Sequence, residues 1–115
     1  MPFDTPAELH EHVLGVAAPD QRDERILDAN TQWLKAHADV LVLIEGHCDA
    51  RGTVEYNLAL GERRAGAARD YLVAHGVEAG RITITTYGAL RPLCTQQTEA
   101  CWSRNRRAEF LVKPR

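Results

Sequence analysis

No stretch of this 115-residue chain approaches the roughly 20 consecutive apolar residues that a bilayer-spanning helix needs, and its first residues lack the basic-then-apolar layout of a secretory signal. If the native protein is exported or lipid-anchored, its targeting segment is expected upstream of Met1. Neither sign of charge is in large excess. The 14 Lys and Arg against 16 Asp and Glu leave a net charge of -2, which provides no broad basic field for nucleic acid. Trp102 with Arg104, Arg106 and Arg107 is a faint exception, outweighed by the reading of Trp102, next to Cys101, as packing over a disulfide. Internal repeats and low-complexity stretches are absent. What is there is 44% apolar residues, enough for one buried core and one ordinary domain.

Cysteine is scarce and odd in number, with three residues. Cys94 and Cys101 stand seven apart in a polar stretch, a spacing that suits a loop disulfide and therefore an oxidising compartment. Closing so short a loop removes somewhat less chain entropy than the roughly 3 kcal/mol expected for 15 residues. A pair of metal thiolates is the functional alternative, but no second Cys or His pair stands at ligand spacing nearby.

Residues 1–19 are mixed in pattern, with a possible short helix around Ala7–Val13. From Asp20 to His37, Ile26, Leu27, Asn30, Trp33 and Leu34 recur with helical spacing. Val40–Ile44 is a β-branched and aliphatic run too short for another helix, hence an interior strand ending at Glu45-Gly46. Thr53 is a good N-cap for a helix over Val54–His75, stopped at Gly76, with Leu58, Ala65, Ala68 and Leu72 as its buried stripe. Ile82–Tyr87 alternates as a half-wet strand, a helical turn is expected over Glu99–Asn105, and Ala108–Val112 alternates again. This order predicts an α+β two-layer sandwich with helices on one face of a mixed sheet.

The densest polar constellation is Gly46-His47-Cys48-Asp49-Ala50-Arg51-Gly52-Thr53, a loop leaving a buried strand and entering a helix at its amino end. Free N–H groups and the helix dipole favour an anion there. Asn57 and Arg64 lie two turns apart on one helix face, with Leu60 and Gly61 between them. Asp49, Asn57 and Arg64 together would suit a zwitterion, Asp49 taking an ammonium and Arg64 forking onto a carboxylate. The plainer reading is that Asp49 caps the helix and pairs with Arg64 structurally. A metal at His47 and Asp49 has too few ligands, so His47 reads as structural. Cys48 cannot easily be activated by His47, because neighbours on an extended chain face opposite ways. It reads as a small, partly buried side chain, or else as an exposed thiol. No catalysis is expected.

The run Gly46–Ala65, continued through Tyr87-Gly88, Pro92 and Asn105-Arg106-Arg107-Ala108, closely resembles the central motif of the OmpA/MotB-like family of C-terminal domains, in its peptidoglycan-associated lipoprotein branch. The resemblance covers residues 20–115 and leaves 1–19 as a divergent segment. It implies non-covalent binding of peptidoglycan through the meso-diaminopimelate of the peptide stem. Asp49 and Arg64 would grip that residue, with Asn57, Leu60, Thr53 and Arg51 shaping the pocket. It also implies a periplasmic location, an upstream lipid anchor in the outer membrane, a TolB-like partner, and Asn105 and Arg106 as stabilising residues. One feature departs from the family: the aromatic-rich first strand is missing or degenerate, Gly15–Asp20 standing in its place. A lost strand would leave a sheet edge open for homodimerisation or docking of another chain, the alternative function.

Overall fold

The computed structural model describes residues 13–17 and 24–115. Along the chain run β1 (Val13–Ala17), α1 (Glu24–Ala36), β2 (Val40–His47), α2 (Val54–Ala74), a 3-10 turn (Ala79–Arg81), β3 (Ile82–Gly88), α3 (Glu99–Asn105) and β4 (Arg107–Pro114). The strands form one mixed sheet in the order β1-β4-β2-β3, in which β2 and β3 are parallel and the other pairs antiparallel. The expected α+β sandwich is present. The possible helix around Ala7–Val13 lies outside the described residues, apart from Val13, which opens β1.

Alternation along the strands builds the core. Val42 and Ile44 of β2, with Ala108, Phe110 and Val112 of β4, face Leu27 and Leu34 of α1 and Ala65, Ala68 and Leu72 of α2. Their intervening neighbours Leu43 and Leu111 form a separate cluster on the opposite face, with Leu41 against it. On α2 the buried stripe is Asn57, Gly61, Arg64, Ala65, Ala68 and Leu72, whereas Leu58 is only half-buried. The expected stripe therefore needs two polar members, and both belong to the site. At its far end Gly76 adopts φ +104, the left-handed stop that glycine makes without Cβ strain. Tyr71 of α2 donates a hydrogen bond to Asp28 of α1, tying the two helices together. No helix among the described residues is long and apolar enough to cross a membrane.

Two expectations change. Strand β2 runs on to His47 instead of ending at Glu45-Gly46, because Gly46 and His47 pair with both neighbouring strands: Thr86 and Gly88 on one side, Ala108 and Arg107 on the other. The first strand is altered but not lost. The non-aromatic Val13–Ala17 pairs antiparallel with β4, with a register break between Val13 and Gly15. The β4 edge that its loss would have opened is thus covered.

One contact fixes where α2 crosses the sheet. A Cβ on Gly46 would lie 1.7 Å from the Gly61 carbonyl oxygen, and a Cβ on Gly61 would lie 2.2 Å from Thr86 Oγ1. Backbone rests on backbone there, which only glycine at both positions permits. The amino half of α2 is thereby clamped over the end of β2, where the polar loop begins.

Candidate functional site

The loop after β2 is held at each end by its own backbone and side chains. Cys48 N–H donates to the Gly88 carbonyl at 2.8 Å, pinning the loop to the end of β3. Gly52 turns the chain at φ +95. Thr53 then caps α2 as expected, its Oγ1 accepting from Tyr56 N–H at 3.1 Å. Asn57 reaches back from the first turn, Nδ2 donating to the Arg51 carbonyl at 2.9 Å. Cys48 is buried and its thiol donates to the Asn57 carbonyl, so the exposed-thiol reading does not hold.

Asp49 is not the helix cap. It is 7% exposed and meets two guanidinium groups. Arg51 donates from Nη2 to Oδ2 at 2.7 Å and from Nε to Oδ1 at 3.2 Å, and its own backbone N–H reaches Oδ1 at 3.0 Å. Arg106, between α3 and β4, donates from Nη1 to Oδ2 at 3.1 Å. The Arg51 hydrogen bonds, aided by Arg106, hold the Asp49 carboxyl well below the ordinary carboxylate range despite its burial. Arg51 in turn stacks its guanidinium 4.4 Å over the Trp102 ring, so Trp102 serves the site as a cation–π platform. Arg106 also pairs with Glu99, which lowers the Glu99 carboxyl.

Arg64 is 6% exposed and donates from Nη1 to the His47 carbonyl at 3.0 Å. This bond aims the side chain along the end of β2 toward the Asp49 loop. The resulting cleft of about 610 Å³ is lined by Asp49, Arg51, Gly52, Tyr56, Asn57, Leu60, Arg64, Glu99 and Arg106. The structure therefore brings five of the six residues picked from sequence, Asp49, Arg51, Asn57, Leu60 and Arg64, to one cleft, while Thr53 acts through the cap. Sequence reasoning missed Glu99 as a wall of this cleft and gave Arg106 only a stabilising role. The readable signal was the short capped helix running directly into Asn105-Arg106-Arg107. Tyr56 borders the cleft, whereas Tyr87 stacks on His47 and beneath Arg91.

The supporting residues behave as packing. Cys94 and Cys101 are joined, with Cα atoms 5.9 Å apart. Asn105 Oδ1 accepts from Leu93 N–H at 2.8 Å, and its Nδ2 donates to the Cys94 carbonyl at 3.0 Å. Arg107 is turned inward, bonding Glu109 at 2.8 Å as well as the Asn105 and Arg91 carbonyls. Behind the cleft, His47 is 1% exposed with Nε2 3.3 Å from Glu45 Oε1, and Glu109 stands opposite Glu45 on β4.

A carboxylate and several guanidinium groups converge on one open cleft, at a strand-to-helix loop of a two-layer α+β sandwich. The chain belongs to the OmpA family, whose model matches residues 16–106. It is 47% identical over 89 residues to a peptidoglycan-associated lipoprotein of Brucella melitensis biotype 1, covering 77% of this chain and 53% of that protein. It is 51% identical over 86 residues to a peptidoglycan-associated lipoprotein of Rhizobium meliloti, covering 75% and 49%. The crystal structure of the peptidoglycan-associated lipoprotein from Burkholderia pseudomallei superposes with a TM-score of 0.76 at 38% identity, covering 80% of each chain. The chain spans about half the length of the curated relatives it matches.

Proposed function

We propose that this domain holds peptidoglycan non-covalently, by the meso-diaminopimelate of the stem peptide, and tethers the outer membrane to the cell wall. The observation that carries the reading is the convergence of Asp49, ionised and buried, with Arg64 on a single cleft. The side chain of diaminopimelate ends in an ammonium and a carboxylate on one carbon. Asp49 accepts the ammonium, and Arg64 offers a planar fork to the carboxylate. Arg51, whose side chain is 55% exposed, is the partner of Asp49 that can swing away to make room. Asn57 holds the loop, and Leu60 and Tyr56 line the apolar side.

The names of the relatives support the wall as ligand, and the OmpA fold supports a binding role without catalysis. On the same reading the domain works in the periplasm, a lipidated segment upstream anchors it to the outer membrane, and a TolB-like protein is its partner. Cosedimentation with purified peptidoglycan tests the wall reading. The parent chain pellets with the wall, whereas Asp49→Ala and Arg64→Ala, both checked for folding, stay in the supernatant. Equal pelleting of all three proteins sinks the assignment of the cleft.

A further inference from the structure

Asp49 is gripped from two sides, and the grips differ. Arg51 lies on the same loop with a 55% exposed side chain, while the Arg106 side chain is 18% exposed and reaches Asp49 across 57 residues of sequence. Arg106 is set by its surroundings. Glu99, in the first turn of α3, takes its other nitrogen. Thr98 caps that helix through Cys101 N–H at 3.2 Å. Asn105, its immediate neighbour, is locked to the backbone of Leu93 and Cys94 by three hydrogen bonds. The disulfide Cys94–Cys101 joins the loop segment that Asn105 binds to the helix that carries Glu99. Trp102, which carries the Arg51 guanidinium, follows Cys101 directly. Glu99, Trp102 and Arg106 are therefore carried on or directly beside α3, the helix that the disulfide ties down.

Resting on the wall-ligand reading of this cleft, we propose that Arg106 is a positioning residue for Asp49, held in place by the Cys94–Cys101 loop, so that opening the disulfide weakens ligand binding. A ligand ammonium needs lone pairs that Arg51 now occupies on Asp49. Arg51 is the exchangeable partner. Arg106 is the fixed one, keeping the carboxylate ionised and aimed after Arg51 leaves. Reduction frees α3 to move, and Arg106 and Glu99 move with it.

The test follows the Asp49 carboxyl by NMR titration alongside affinity for a diaminopimelate-bearing muropeptide, in the parent chain, Arg106→Gln, Arg106→Lys and Cys94→Ala/Cys101→Ala. Circular dichroism and thermal melting check each fold. Arg106→Gln raises the Asp49 midpoint toward the ordinary carboxylate range and lowers affinity by roughly tenfold, the loss expected for one charge-assisted hydrogen bond. The lysine variant recovers part of both. The double alanine variant shifts both readouts the same way, by less. An Asp49 midpoint unmoved in the double variant overturns the role of the disulfide, and one unmoved in Arg106→Gln overturns that of Arg106. Should the double variant fail to fold, Glu99→Gln with the disulfide intact replaces it, and an Asp49 midpoint unmoved there overturns the positioning chain. A parent chain that binds no muropeptide defeats the wall reading, while the titration still decides this proposal.

Discussion

Asp49 keeps its charge far into acid because two guanidinium groups and a backbone N–H already satisfy it. Its folded pKa lies below its unfolded value of about 3.9, so the stability it contributes is complete above that pH and is lost as pH falls through the folded value. Urea denaturation should therefore find Asp49→Asn less stable than the parent at pH 7, with the gap narrowing below about pH 4. A gap independent of pH contradicts the ion-pair account. At the same scale Arg81 has a structural part: it is 4% exposed and donates to the Val40 carbonyl at 3.0 Å and the His37 carbonyl at 2.7 Å, joining the 3-10 turn to the start of β2. Arg81→Met leaves both carbonyls without this donor and should cost about 1.5–3 kcal/mol in denaturant unfolding.

At the scale of elements, the crossing of α2 over β2 places the cleft, and the Gly46–Gly61 contact sets that crossing. Gly61→Ala gains about 1 kcal/mol of helix propensity. It also drives a methyl to 2.2 Å from Thr86 Oγ1, an overpacking of about 1–3 kcal/mol. The net change is a loss of stability with ligand affinity reduced as α2 lifts. Thr53→Ala removes only the cap and should cost about 1 kcal/mol with a smaller effect on binding. Thermal melts and muropeptide titrations of the two variants separate these effects. Much of this element was legible: Asp49, Asn57 and Arg64 fall within sixteen residues of a strand–loop–helix unit, so spacing alone brings them to one face. Strand β2 runs past its expected end at Glu45-Gly46, because Gly46 and His47 have poor local strand propensity and are extended only by pairing on both sides. Arg106 and Glu99 could not be placed by spacing, since a long-range packing decision puts α3 against the Asp49 loop.

At the scale of the molecule, four strands and two long helices among the described residues form a scaffold, and the cleft sits at the end of β2 where β3, β4 and both α2 and α3 approach it. Alternation made β3 and β4 legible and a continuous aliphatic run made β2 legible, but the first strand carries neither signal. Val13–Ala17 lacks the aromatic residues that mark that strand in the family, and its pairing with β4 emerges only in the assembled sheet. Ligand bound to the folded state alone stabilises it by mass action. A muropeptide at 100 times its Kd should raise the unfolding free energy by about 2.7 kcal/mol, and in the Arg64→Ala variant it should add far less. The central claim is recognition of a zwitterion by Asp49 and Arg64 together. Its most direct test is a comparative NMR titration with two muropeptides differing only at the third stem residue, diaminopimelate or lysine, the second keeping the ammonium but lacking the carboxylate. The account predicts that the diaminopimelate form binds at least tenfold more tightly and that this preference vanishes in Arg64→Ala; equal affinity for the two forms in the parent chain would contradict it.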